Sequence, residues 1–240
     1  MNIAILGYGK MGKEIEKAAI ERNHSISLII DINNQSDLNK KNLSNVDVAV
    51  DFSLPDSAYS NILKCFELNT PVVSGTTGWL KKFEEIIAIC KENNKTFFYA
   101  ANFSLGVNIF MQLNKYLAGI MNLYSDYEIT MEETHHTQKL DAPSGTAIKL
   151  ANDIIPVINR KNKWELNKAS DDNSIKITSI RKDNITGIHK VTYNSPVDTI
   201  EIQHSSKSRK GLALGAVLAA EFIKDKKGYY TINDLLRLDK

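Results

Sequence analysis

The chain has 240 residues, 42% of them hydrophobic, and sets 30 Lys and Arg against 28 Asp and Glu for a formal charge of +2. That size allows a real core and two modest domains, and the near-neutral balance argues against nucleic acid or an acidic membrane as partner. The two cysteines, Cys65 and Cys90, lack secretory context and ligand-like spacing, no leader pattern is seen, and no run reaches the roughly 20 apolar residues of a membrane span, so a soluble, cytoplasmic protein is expected.

Residues 1–6 read as a short apolar strand, followed by Gly7-Tyr8-Gly9-Lys10-Met11-Gly12 and an amphipathic helix from Lys13. Strand, glycine turn and helix in this order have the spacing of a dinucleotide-binding turn. Gly7 permits the tight turn, Gly9 lets backbone approach a pyrophosphate, and Gly12 lets the helix pack close to the strand. A second strand over 25–30 ends at Asp31, where a carboxylate would bond a ribose hydroxyl. Ile32 rather than a basic residue follows Asp31, which leans toward NADH; Lys10, Lys40 and Lys41 keep NADPH open.

Residues 46–52 form a buried-strand run ending at Ser53, with a helix opening after Pro55 and capped by Asp56 or Ser57. The strand over 71–74 runs into Gly75-Thr76-Thr77-Gly78, and the strand over 95–101 closes at Asn102-Phe103. Strands alternating with helices over the first hundred residues predict an α/β fold with an N-terminal Rossmann-type parallel sheet. Ligands of such sheets bind at the carboxyl ends of the strands, where the glycine turn, Asp31, Gly75 to Gly78 and Ala100 to Phe103 all fall.

From Val107 the pattern changes to a second, mixed α+β region. A long helix through Met121 precedes a half-buried strand over 127–132, a polar loop from Glu133, and a helix capped by Asp141 or Ser144. Residues 161–173 read as a polar, mobile loop. The runs 174–181, 187–193 and 198–204 alternate like antiparallel strands, and helix returns after Arg209. Lys161, Lys163, Lys207, Arg209 and Lys210 give local basicity, either for an acidic small molecule or as ordinary solvated surface.

The loop Glu133-Thr-His135-His136-Thr-Gln-Lys139-Leu-Asp-Ala-Pro-Ser144-Gly145-Thr146 is the densest chemistry in the chain. Two imidazoles and an ammonium can handle protons, and a helix start exposing the Gly145 and Thr146 amides suits a carboxylate or phosphate. Metal fits this stretch poorly: adjacent histidines in extended chain point to opposite sides, and no His-Glu-x-x-His helix is present.

These pieces together resemble the dihydrodipicolinate reductase family across nearly the whole chain. The likeness rests on Gly7 to Gly12, Asp51-Phe-Ser with Pro55, Gly75-Thr-Thr-Gly78, Ala100 to Asn108, His135-His-x-x-Lys139-x-Asp-Ala-Pro-Ser-Gly-Thr-Ala147, Arg181 through Gly187-x-His189, and Ser208-Arg with Ala213-x-Gly-Ala216. It implies reduction of a hydroxy-tetrahydrodipicolinate or dihydrodipicolinate to tetrahydrodipicolinate by NADH or NADPH, in the diaminopimelate route to lysine. It implies His135 as acid/base and Lys139 as proton donor. It also implies His136, Ser144, Gly145 and Thr146 at the substrate carboxylates. The cofactor would meet Gly7, Tyr8, Gly9, Lys10, Met11, Gly12, Asp31, Gly75, Thr76, Thr77, Ala100, Ala101, Asn102 and Phe103, with no metal. Residues 1–106, completed by C-terminal helices over 211–240, would bind dinucleotide, and 107–210 would bind substrate and build a homotetramer.

The glycine loop is one residue tighter than in many members, Lys182-Asp183-Asn184 lacks a glycine common there, and Lys207 replaces a smaller residue. Two other readings share the glycine turn. Another small Rossmann oxidoreductase, such as an aspartate dehydrogenase, should lack the His-His-x-x-Lys and Ser-Gly-Thr combination; a silent NAD(H)-sensing regulator should bind cofactor without turnover.

Overall fold

A computed structural model describes residues 1–238. It divides into one unit of Met1–Leu105 with the segment from Arg209 onward, and a second of Gly106–Ser208.

The first unit contains β1 (Asn2–Leu6), α1 (Lys10–Glu21), β2 (Ser25–Ile30), α2 (Lys40–Leu43), β3 (Val48–Asp51), α3 (Pro55–Glu67), β4 (Val72–Ser74), α4 (Phe83–Glu92) and β5 (Thr96–Tyr99). All its strand pairs are parallel, in the order β11-β5-β4-β3-β1-β2, with β11 at Gly228–Tyr230. Alternate residues of one strand serve two cores. Ile3 and Ile5 pack with Ile15 and Ala19 of α1, while Ala4 and Leu6 pack with Ala58 and Ile62 of α3. Burial on both faces is why these strands are apolar throughout rather than alternating. The strand order reverses at β1, between β2 and β3, which is the switch point where such sheets bind ligands.

The turn after β1 is fixed by two close approaches. Gly7 has φ +93°, and a Cβ there would lie 2.4 Å from the Phe52 carbonyl oxygen. A Cβ on Gly12 would lie 2.3 Å from the Gly7 oxygen, so α1 cannot seat with a side chain at that position. Helix α1 starts at Lys10 with Gly9 as N-cap, three residues before the expected Lys13, so Gly12 lies inside it.

Other boundaries differ from expectation for local reasons. The run over 46–52 is strand only to Asp51, and α3 is capped by Leu54 with Pro55 in its first turn, not by Asp56 or Ser57. Proline needs no amide partner there. The segment after 211 is not all helix. Helix α7 (Lys210–Ile223) is followed by β11, which adds the sixth strand beside β5, and by α8 (Ile232–Leu236).

The second unit contains α5 (Leu105–Met121), whose first residue falls on the boundary, β6 (Glu128–His135), α6 (Gly145–Ile154), β7 (Lys163–Leu166), β8 (Ser174–Arg181), β9 (Gly187–Asn194) and β10 (Thr199–Ser206). Its sheet runs β10-β9-β6-β8-β7. The expected all-antiparallel arrangement is corrected: β8 pairs parallel with β6 and with β7, and the antiparallel pairs are β6 with β9 and β9 with β10. The expected mobile loop over 161–173 carries β7, and Lys161 is buried, its ammonium held by Glu128 and by the carbonyls of Asp172 and Ser174. It is structural, not surface basicity. Lys163 is ion-paired with Asp171 at 3.1 Å.

One sheet face builds the core. Ile129 and Met131 of β6, Ile175 and Ile177 of β8, and Val191 and Tyr193 of β9 pack against α5 and α6. Among the described residues no helix is long and apolar enough to cross a membrane.

Candidate active site

The same sheet face continues, two residues further along each strand, into polar side chains. Strand β6 runs to His135 rather than ending at residue 132, so Glu133 and His135 follow Ile129 and Met131 on one face. Register then sets their neighbours: Glu133 lies opposite Ser179 on β8 and His189 on β9, His189 lies opposite His204 on β10, and His135 lies opposite Arg181.

Glu133 is wholly buried, and its Oε2 is in direct contact with His135 Nδ1. Its Oε1 accepts from Arg181 at 2.8 Å. Burial pushes the Glu133 carboxyl up, but the polar groups of Ser179 and Arg181 and the charge of His135 outweigh it and hold it below the usual carboxylate range. His135 is drawn down by burial, against the pull of Glu133. Its Nε2 side faces Gly187, where a Cβ would lie 3.0 Å away, so a side chain at the start of β9 would crowd the imidazole. The His189 ring meets His135 edge-on, centroids 5.0 Å apart, and burial with the His135 charge pulls His189 down to about 4.

Arg181 also ties down the loop after β6. Its Nε donates to the Lys139 carbonyl at 3.2 Å and a terminal nitrogen donates to the Asp141 carbonyl at 2.6 Å. Lys139 Nζ is 2.8 Å from Asp141 Oδ1, and this contact lowers the Asp141 carboxyl. Ser144 caps α6, its Oγ accepting from the Ala147 amide and lying 3.0 Å from His189 Nε2. With its hydroxyl committed to both, Ser144 is buried. Gly145 is exposed and a Cβ there would meet nothing within 4 Å, so the first-turn amides of α6 that have no helical partner open outward. His136 Nδ1 is buried without a hydrogen-bond partner.

The structure therefore gathers His135, Lys139, Ser144 and the Gly145 end of α6 around Arg181 and His189. Sequence reasoning gave no role to Glu133, Arg181 or His189. The signal for Glu133 was its two-residue offset from His135 at the end of an alternating run.

Glu133, His135 and His189 are the tight group of metal-type donors among the described residues, with atoms within 4.8 Å of one another. Glu133 Oε2, His135 Nδ1 and His189 Nδ1 have no hydrogen-bond partner among the described residues, but the Arg181 guanidinium on Glu133 Oε1 places a positive charge beside the group, which would oppose a cation.

In the first unit, Gly7, Tyr8, Gly9, Lys10, Met11 and Gly12 lie on the turn from β1 into α1, and Asp31 follows β2 exposed, its Oδ1 accepting from the Ile32 amide at 2.8 Å. A Cβ on Gly9 would meet nothing within 4 Å, and the α1 N-cap has no side-chain bond, so the amide end of α1 is uncovered and suits a pyrophosphate. Gly75, Thr76 and Thr77 follow β4, and Ala100, Ala101, Asn102 and Phe103 follow β5. A network not foreseen in the sequence ties the loop after β4 to the end of β3 and to α3. Buried Asp51 accepts from Ser53 at 2.7 Å and Asn61 at 3.1 Å with one oxygen, and from Ser74 at 3.0 Å and Thr76 at 2.8 Å with the other. Ala100 and Phe103 are buried, and Asn102 accepts from the Ser104 amide.

The family model described as "Dihydrodipicolinate reductase, N-terminus" matches residues 1–103, and that described as "Dihydrodipicolinate reductase, C-terminus" matches residues 106–236. The chain belongs to the dihydrodipicolinate reductase family. Relatives named 4-hydroxy-tetrahydrodipicolinate reductase include that of Christiangramia forsetii, 49% identical over 98% of each chain. Another, from Staphylococcus saprophyticus, is 36% identical over 98% of this chain and 100% of the relative. A solved dipicolinate-bound dihydrodipicolinate reductase from Paenisporosarcina sp. TG-14 shares the fold, with a TM-score of 0.80, 24% identity and coverage of 98% of both chains. Membership in this reductase family makes the chain an oxidoreductase. It also bears out the parallel Rossmann-type sheet with a second mixed domain.

Proposed function

We propose that the protein reduces (hydroxy-)tetrahydrodipicolinate or dihydrodipicolinate to tetrahydrodipicolinate, using NADH or NADPH, in the diaminopimelate route of lysine biosynthesis. The observation that carries this reading is His135 and Lys139 beside an open helix N-terminus, in a chain of this reductase family.

A cyclic dicarboxylate needs anion partners, and the amides of Gly145 and Thr146, the imidazole of His136 and the ammonium of Lys139 are of that kind. Ser144 contributes through the cap that shapes this helix end, since its hydroxyl is engaged. The nicotinamide, when bound, supplies the hydride. The chain must then deliver a proton to the atom that gains the electrons, and Lys139 is the donor assigned here, with His135 as acid/base. On the cofactor side, Gly7 to Gly12 would hold the pyrophosphate and Asp31 the ribose, with Tyr8, Lys10 and Met11 on the same turn. Gly75 to Thr77 and Ala100 to Phe103 would flank the nicotinamide half. Thr76 acts there by its backbone, because its hydroxyl is bonded to Asp51. Asp31 favours an unphosphorylated ribose by charge repulsion, so NADH is the expected preference. The first unit would be the dinucleotide domain and the second the substrate and oligomerisation domain of a cytoplasmic homotetramer.

The test follows nicotinamide absorbance with purified protein, each cofactor in turn, and substrate generated in place by a synthase from pyruvate and aspartate semialdehyde. Synthase-dependent oxidation is expected, with the lower KM for NADH. No oxidation with either cofactor despite cofactor binding would replace this reading with another dehydrogenase or a redox sensor.

A further inference from the structure

We infer that Glu133 is a positioning residue that sets the tautomer of His135 and, through Arg181, anchors the backbone bearing Lys139. The carboxylate sits at a junction. Oε2 lies in contact with His135 Nδ1 within the same strand, neither of these buried atoms having any other partner among the described residues, and Oε1 takes the Arg181 guanidinium, whose other nitrogens hold the carbonyls of Lys139 and Asp141. A carboxylate only accepts, so their contact is favourable only with the proton on Nδ1, since two facing lone pairs would repel, and Nε2 is then the nitrogen that can take or give one. The other charged groups around the ring leave this arrangement intact. Arg181 on β8 and Lys139 on the loop oppose a second proton on His135, as burial does, and His189 on β9 is itself drawn toward its neutral form.

The choice of acid is informative. Glu133 is wholly buried, where an unpaired carboxylate would be costly; Oε1 is paired with Arg181, and Oε2 is turned to His135. A single residue thus aligns the imidazole and the segment carrying the ammonium. Gly187 completes the setting by leaving room for the ring on its Nε2 side.

The inference rests on the reading of His135 as acid/base for its kinetic consequence only; the tautomer can be read without turnover. The experiment is nitrogen-15 NMR of histidine-labelled full-length protein, wild type and Glu133→Gln, with steady-state kinetics on both. Wild type should carry the His135 proton on Nδ1. In Glu133→Gln the amide oxygen stays on Arg181 and the amide NH2 faces the ring, so Nδ1 must accept and the proton should move to Nε2. Turnover should fall by about a hundredfold, while the substrate KM changes little. A wild-type proton on Nε2, or a Gln variant with unchanged tautomer and turnover, would overturn the assignment. The wild-type spectrum alone decides it should the variant fail to fold. Absence of any imine reduction by wild type, with the proton on Nδ1, would instead refute the function proposed above and leave Glu133 where it is placed.

Discussion

The two residues proposed to handle protons, Lys139 and His135, differ in how they are held, and the difference predicts different kinetics. Lys139 is half-buried, its ammonium bonded to exposed Asp141, so a substrate carboxylate can compete for it. Lys139→Ala should therefore raise KM and lower turnover, the latter by about 10²- to 10⁴-fold. His135 is buried against Glu133 and His189 and is set by the protein rather than by substrate, so His135→Ala should act mainly on turnover. Steady-state kinetics with both cofactors checks this, and near-normal constants in either variant would remove that residue from its role. The His-His-x-x-Lys spacing made these residues visible in the sequence, because so many polar functional groups seldom crowd one loop by chance. Glu133 was not visible: strand alternation ended, in the sequence, at Glu132, and an acid before two histidines reads as the first residue of a loop. Its burial becomes intelligible only with Arg181, 48 positions away, as counter-charge. The role of Asp51 was hidden likewise inside an apolar run, since its four hydrogen-bonding partners come from α3, from β4 and from the loops after β3 and β4.

Strand β9 carries a linked consequence for acid stability. His189 lies under the face that Val191 and Tyr193 extend into the core, and its folded pKa is drawn from 6.5 to about 4. The unfolded chain thus binds a proton that the folded one refuses. Stability tied to this residue is intact above pH 6.5, declines as pH falls toward 4, and levels off below it, a loss of about 3 kcal/mol for the whole shift. Thermal midpoints measured from pH 7 to pH 4 should fall, and His189→Gln, which keeps a polar side chain facing Ser144, should flatten the decline; an equal slope in the variant would refute the linkage. The elements legible in sequence were those with long periodic patterns, such as α5, or a sharp turn signal, such as β1 into α1. Strands β7 and β11 were missed because four and three residues carry no period, and each exists by pairing at a sheet edge. The parallel pairing of β8 escaped for a related reason: alternation reveals which face a strand buries, but not the direction of its neighbour.

At the scale of the whole molecule the decisive feature is what the second unit leaves uncovered. Ile109, Leu113, Tyr116 and Ile120 recur at helical spacing along α5, and Leu113 and Tyr116 are 54% and 72% exposed. Single exposed hydrophobics are ordinary, but a continuous stripe of four is unfavourable in water and is the kind of surface that a partner chain would cover. Strand β10 adds to this, since among the described residues it pairs only with β9 and offers its other edge unpaired. Near-neutral net charge does nothing to keep copies apart. Assembly is therefore expected, and the homotetramer gives the specific value: light scattering should return four times the 26.9 kDa of one chain at micromolar concentration. Placing charge in the stripe with Leu113→Glu and Tyr116→Glu should lower that mass if α5 is part of the contact, because two carboxylates cannot be buried there without partners. A wild-type monomer would overturn the oligomer, whereas a charged variant that remains tetrameric would move the contact from α5 to other surfaces of the unit.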